Sequence, residues 1–285
     1  MIQGHCNYLL NFNGLFGLMV LALLVGARAT EAETTVPNAS QPAPIPERKQ
    51  NVARGEAFLA SLFDPTVNLL PEFRGSKTYW LFHDNYLAAR MLANTRPELS
   101  RQIDAALVKF GVTNSGKIEI VFNEARQPLP FRAYQLTNVA VIDGKRIRTE
   151  ALTTNLLKGW EQYADLLLLA SIAQTRSAPE EARRNFDRAA AMWDGHGFSD
   201  RAAKAMGIYS TYKLALYLIA AARLKIKPPH AQVVLDRLVH LQGQDGGWIT
   251  DYKDNQPAGL ANVETTCLAL LALRAWGQNP GLRSP

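Results

Sequence analysis

The stretch LVHLQGQDGGWITDYKDNQPAGLANVETTCLALLAL, Leu238–Leu273, decides how this chain is expected to fold. An amphipathic segment runs into a turn of Gly and Asp that carries one Trp. A long apolar run follows, opened by Val263-Glu264-Thr265-Thr266. A surface loop has no need of a Trp, and a core helix has no need of a Glu at its entrance. The combination reads as the mouth of a cavity, where a polar, ring-bearing turn delivers the chain into a helix apolar nearly all round. Such a helix is buried nearly all round.

The pattern occurs twice. FDRAAAMWDGHGFSD from Phe186, followed by YSTYKLALYLIAA, matches LDRLVHLQGQDGGWITD from Leu235, followed by VETTCLALLALRA. The offset of about 50 residues belongs to repeat architectures. A weaker copy enters TYWLFHDNYLAARML (Thr78–Leu92) after the turn PEFRGSK. RGEAFLASLF (Arg54–Phe63) and PELSRQIDAALVKFGV (Pro97–Val112) are amphipathic. SAPEEARRNFDRAAAMW offers Ser177 as N-cap, Pro179 in the first turn, and Glu180 and Glu181 against the helix dipole. YADLLLLASIA (Tyr163–Ala173), TYKLALYLIAAARL (Thr211–Leu224) and TTCLALLALRAW (Thr265–Trp276) are apolar over far more of their surface. Alternation of the two kinds implies a mainly α chain with an outer ring of helices around an inner one, an (α/α) toroid. About eight helices are few for a closed ring, so a partial toroid stays open.

One segment departs from this. GKIEIVFN (Gly116–Asn123) and YQLTNVAVIDGKRIRTE (Tyr134–Glu150) are rich in β-branched residues, with Asp143-Gly144 as a hairpin turn. They read as a small inserted antiparallel sheet over about 116–150, either shaping a wall of the cavity mouth or decorating it.

Ahead of the folded body, assigned to 51–285, lie two segments of other kinds. Residues 1–29 carry a single charge, Arg28, and GLFGLMVLALLVGA (Gly14–Ala27) matches the apolar core of a signal peptide or an N-terminal anchor. Residues 30–50 are rich in Pro, Ala, Thr and Ser, and read as a disordered linker; Asn38-Ala39-Ser40 within it is a glycosylation sequon. The expected location is therefore outside the cytoplasm: periplasmic, secreted, or tethered to a membrane through that first segment alone. Setting Arg28 aside leaves 31 − 1 = 30 basic residues against 25 acidic, scattered along helices, which gives no surface for nucleic acid. Only Cys267 falls in the body, so no internal disulfide is expected there.

LQGQDGGW (Leu241–Trp248) resembles the Gln-x-x-Asp-Gly-x-Trp turn of squalene and oxidosqualene cyclases. NVETTCLALLALRA (Asn262–Ala275) is similar to the inner-helix entrance of complement and α2-macroglobulin thioester domains, a toroid shared with protein prenyltransferase β subunits. The resemblance covers mainly Ala191–Trp276 and implies a scaffold. The working parts of those families do not carry over. There is no Asp-x-Asp-Asp acid, DYKD (Asp251–Asp254) being a poor substitute, and no Cys-Gly-Glu-Gln. In place of the prenyltransferase zinc histidine stands Glu264, with Cys267 facing the core, so no metal and no cofactor is expected.

The chemistry must then come from the cavity mouth. Trp80, Asn85, Tyr86, Trp160, Tyr212, Trp248 and Tyr252 are the expected ligand-binding residues, and Asp84, Glu264, Asp251 and His83 the expected catalytic ones. Flat rings beside carboxylates suit a carbohydrate, which has apolar C–H faces and hydroxyls in need of acceptors. The helix start in FHDNYLAARML is also similar to the Asp-Asn starts of toroidal endo-mannanases, with His83 where a second Asp would stand. Three readings follow: an enzyme cleaving or modifying a polysaccharide, either a glycoside hydrolase or a lyase or epimerase with His83 or a Tyr as base; a non-catalytic binding toroid; or a cyclase-like apolar cavity. Asp84 or Glu264 as a helix cap, and Trp248 as a packing residue, are the structural alternatives.

Overall fold

The computed structural model describes residues 45–111, 117–122 and 131–278. The expected signal segment, the sequon and most of the expected linker lie outside the described residues. The chain is mainly helical, about 53 %. Helix α1 spans Ile45–Ser61, so it begins inside the stretch read as linker. Strand β1 (Thr78–Trp80) leads directly into a π-helical turn, Leu81–Tyr86, which continues as α2 (Leu87–Leu92) and then α3 (Pro97–Lys109).

A 3-10 turn at Ile118–Phe122 replaces the strand expected over 116–123. Its Ile118, Glu119, Ile120 and Val121 are all buried, so a run of β-branched residues here packs on every side rather than alternating. β-propensity describes fit to a half-buried pleated surface, and a fully enclosed turn overrides it. The hairpin is as expected: β2 (Arg132–Ile142) and β3 (Lys145–Leu156) are antiparallel. Asp143 and Gly144, at φ 49° and 76°, have the two positive φ values of a type I′ turn. β1 adds to β3 in parallel, giving the order β1-β3-β2. β3 lies against the π-helical turn, whereas β2 is largely exposed.

After the 3-10 turn Trp160–Gln162 come α4 (Ala164–Gln174), α5 (Pro179–Ala190), α6 (Arg201–Met206), β4 (Tyr209–Ser210), α7 (Thr211–Leu224), α8 (Ala231–His240), β5 (Asp251–Lys253), β6 (Gln256–Pro257) and α9 (Val263–Gly277). Ala178, not Ser177, takes the N-cap position of α5, without a side-chain cap bond; Pro179, with its fixed φ, starts the helix instead.

Burial sorts the helices as their composition does. In α5 the buried residues are Ala182, Asn185, Phe186 and Ala189, and in α8 Ala231, Val234, Leu235 and Leu238. Both sets follow the i, i+3, i+4, i+7 stripe of a helix with one face inward. By contrast α7 is buried at every position from Thr211 to Ala222, and α4 from Ala164 to Ile172. The half-exposed helices each pack on an enclosed one: α3 on α2, α5 on α4, α8 on α7, α1 on α9. The enclosed helices pack in turn α4–α7–α9–α2. Arg274 of α9 ties the first helix to the last, reaching Glu56 of α1 at 2.5 Å and the carbonyl of Met91 in α2 at 3.0 Å.

The two repeat turns are built alike. Asp194 Oδ1 accepts the amides of His196 and Gly197, and Asp245 Oδ1 accepts the amide of Gly247. Phe198 and Trp248 then fill equivalent buried positions, 2 % and 0 % exposed.

Candidate functional site

His83 and Asp84 are neighbours on the π-helical turn between β1 and α2. Such turns change the angular step of a helix and are frequent at functional sites. Glu264 is the second residue of α9, the enclosed helix against α2 and the π turn. The packing brings one donor atom from each of His83, Asp84 and Glu264 within 4.8 Å of the others. Asp84 is 1 % exposed and Glu264 5 %. Neither acts as a cap. The π turn has no side-chain cap bond, and Asn262 caps α9. Among the described residues, His83 Nδ1, Asp84 Oδ2 and Glu264 Oε1 are all buried without a hydrogen-bond partner. Buried polar atoms are almost always satisfied, so unpaired atoms on three clustered side chains call for a ligand or a proton.

Around this trio stand groups that the sequence reading had passed over. Glu150 on β3 is buried, with Oε1 3.7 Å from His83 Nδ1, beyond hydrogen-bond length. Lys117, 2 % exposed, precedes the 3-10 turn, and Glu72 lies in the PEFRGSK turn, its carboxylate bonded to Trp80. Burial, then the Lys117 charge, lowers His83 to about 3, so its imidazole is neutral. Burial, then Glu72 and Glu150, pushes Asp84 well above the carboxylate range. Burial, then Asp84, Glu150 and Glu72, does the same to Glu264, with Lys117 opposing. Burial raises Glu150 to about 7 against the Lys117 charge. Burial also brings Lys117 down to about 7, although Glu150, Asp165 and Glu264 pull the other way. Desolvation dominates throughout, and like charges add to it at His83, Asp84 and Glu264.

A second polar group adjoins the first. Asp200 is fully used: Oδ1 caps α6 through Ala202 and Ala203, while Oδ2 accepts the Ala164 amide at 2.9 Å and the Lys213 ammonium at 2.6 Å. Its role is structural, joining α4, α6 and α7. Asp165 lies beside this pair, raised by burial. Asp251, raised by burial, accepts hydrogen bonds from Thr250 and Ser210, which fixes it in the β4–β5 corner rather than in the trio. Tyr212, buried between the two groups, lies within reach of the charges of Asp165, Asp200, Glu264 and Asp251.

The other residues expected to hold a ligand divide. Trp80, 3 % exposed, belongs to the site: its ring lies 5.0 Å from that of His83, with the Arg148 guanidinium 4.6 Å from its centroid. Asn85 does not. Its Oδ1 accepts the Leu70 amide and its Nδ2 donates to the carbonyls of Leu70 and Trp80, so the side chain is consumed in pinning the preceding loop. Tyr86 packs on Phe82, Phe122 and the Arg90 guanidinium, and Trp160 meets Phe131 edge-on. Trp248 and Tyr252 are fully enclosed; the indole N–H donates to Leu238 O at 2.7 Å and the phenol to His196 O at 3.1 Å. Trp248 and Tyr252 are thus packing residues, whereas Tyr86 and Trp160 are half-buried at the edge of the core. Neither family models, nor characterised proteins, nor solved structures give a match to this chain.

Proposed function

We propose that the protein is an α/α toroid, of the cyclase and prenyltransferase kind that its repeat turns resemble, which takes a hydroxyl-rich, carbohydrate-like ligand at its inner-helix entrances outside the cytoplasm. Its chemistry is proton transfer, of the lyase or epimerase type. The observation that carries this reading is the convergence of His83, Asp84 and Glu264 with Glu150 and Lys117 at the start of two enclosed helices. An alternation of enclosed and half-exposed helices, with α1 returning onto α9, supports the toroid. Buried acceptors beside Trp80 suit hydroxyls.

Proton abstraction fits this geometry better than hydrolysis. A hydrolase needs an ionised carboxylate and a protonated one flanking the bond, at roughly 5–5.5 Å or more. Burial disfavours the charge on both Asp84 and Glu264, which leaves neither as the ionised partner. His83, held neutral far below its ordinary range, is a weak base. Lys117 is better matched to neutral pH, where an amine brought down to about 7 can take a proton and return it. In an elimination, Lys117 would take the proton beside a uronate carboxyl while the C–O bond on the next carbon breaks. The leaving oxygen keeps the bonding pair, and the sugar gains a C=C bond.

The test is a panel of neutral and uronate-containing oligosaccharides offered to the full chain, read by thermal shift and by ultraviolet absorbance of unsaturated product. Lys117→Met should abolish product while leaving the helical circular dichroism intact. A panel in which no sugar raises the melting temperature, and none is turned over, overturns the reading.

A further inference from the structure

We propose that His83, Asp84 and Glu264 form the protein half of a divalent-cation site of the Zn2+ or Mn2+ type. Three features of the trio support it. The donor atoms already stand within 4.8 Å of one another, the spacing of groups that share one cation. Asp84 Oδ2 and Glu264 Oε1 are also buried atoms that no described group satisfies, and coordination would satisfy both. Finally, the donor set is one imidazole and two carboxyl groups, which on losing their protons to a divalent ion would supply two negative charges. Imidazole suits Zn2+ and carboxylate suits Mn2+ or Mg2+, so a mixed set selects the borderline metals.

The neighbours fit the same assignment. Glu150 Oε1 stands 3.7 Å from His83 Nδ1, so coordination through Nε2 would leave that carboxylate behind the metal-bound ring, where such a group commonly orients the histidine. Cys267, one helical turn beyond Glu264, is a free buried thiol outside the trio, so the site is an N,O,O set rather than a thiolate one. Three protein donors leave a fourth position of a tetrahedral shell open, as in catalytic rather than structural zinc sites. A cation there would polarise a bound water, hydroxyl or carboxyl group. The sequence hides the site because its donors come from two segments at opposite ends of the body, with no ligand spacing inside either.

The test reads metal, not turnover. The full chain is stripped with chelator, dialysed against Zn2+, Mn2+ or Mg2+, and its metal content measured after gel filtration. One equivalent of Zn2+ or Mn2+ per chain is expected, with a rise in melting temperature. Asp84→Asn and Glu264→Gln should each weaken binding by at least about tenfold. An exposed-carboxylate control, Asp187→Asn, should bind as wild type. Because a buried variant can misfold, a second measurement uses Co2+ bound to wild type, which should show visible d–d bands without thiolate charge-transfer absorption. Stoichiometry below about a tenth of an equivalent, undiminished binding in the Asp84→Asn/Glu264→Gln pair, or a thiolate band each overturns the proposal. A carbohydrate screen that finds nothing leaves this result standing, and a protein that binds no metal can still pass the carbohydrate test.

Discussion

Asn262 accepts the Thr265 amide at 2.9 Å, and that single hydrogen bond frees Glu264, two residues on, from any duty at the end of α9. An acid before a very apolar helix is ordinarily its cap. Here the cap is the Asn, while the acid is buried beside Asp84 with Oε1 unpartnered.

The two neighbours should therefore respond oppositely to mutation. Asn262→Ala removes a cap and should cost about 1 kcal/mol, lowering the melting temperature by about 2–4 °C. Glu264→Gln removes an ionisable group from an acidic, desolvated corner, so the metal-free protein should melt no lower than wild type. Thermal denaturation of both in chelator checks this. An equal loss in the two would make Glu264 a structural residue.

The repeat turns allow a second paired comparison. Gly195 and Gly246 occupy the same place in the two copies, at φ +96° and +94°. A Cβ on Gly195 would meet nothing within 4 Å, whereas one on Gly246 would lie 2.5 Å from the carbonyl oxygen of Arg54. Gly195→Ala should thus cost only the backbone strain, of order 1 kcal/mol. Gly246→Ala must also push α1 away, and should cost at least a couple of kcal/mol more. Chemical denaturation of the two variants measures the difference.

That asymmetry bears on what was legible in the sequence. The repeat, the enclosed helices and the hairpin at Asp143-Gly144 could be read because local periodicity and turn chemistry produce them. The pairing of His83 and Asp84 with Glu264 was only half legible. All three were marked as residues at helix entrances, but their meeting point depends on how α9 packs against α2. Glu150 and Lys117 were not legible at all. Glu150 sits in a strand whose two buried positions, Ile147 and Glu150, break the alternation expected of it, and Lys117 just ahead of a run of β-branched residues that forms a buried turn instead of a strand. An Asn that bonds two backbone segments, as Asn85 does, looks in sequence the same as one that waits for a ligand.

Acid should expose a different pair. Burial alone would raise Asp64, but hydrogen bonds from Lys145, Thr66 and Tyr79 outweigh it and hold the carboxyl well below the usual range. The Lys145 ammonium lies 2.6 Å away, joining the loop after α1 to the β2–β3 turn. A folded value below the unfolded one means the stabilisation is present above the unfolded carboxylate value, near 4, and is lost as pH falls below it. Wild type should lose more melting temperature than Asp64→Asn between pH 6 and about pH 3. Parallel curves for the two would show that the bridge contributes nothing to the pH dependence.

Trp248 provides the converse of Glu264. Its ring is wholly enclosed, its edge would lie 2.7 Å from a Cβ on Gly55 of α1, and its N–H satisfies the carbonyl of Leu238 near the end of α8. The residue thus holds α1 and α8 together beneath the turn and has no surface left for a ligand. Trp248→Ala should cost about 3–5 kcal/mol. Trp248→Phe, which keeps most of the ring but leaves a buried carbonyl unpaired, should cost about 1–3 kcal/mol. Any Trp248→Phe protein that remains folded should bind metal and sugar as wild type does, since His83, Asp84 and Glu264 stand on other elements. Metal stoichiometry beside the melting temperature separates the two roles. A stable Trp248→Phe protein with weakened ligand binding would return Trp248 to the cavity wall.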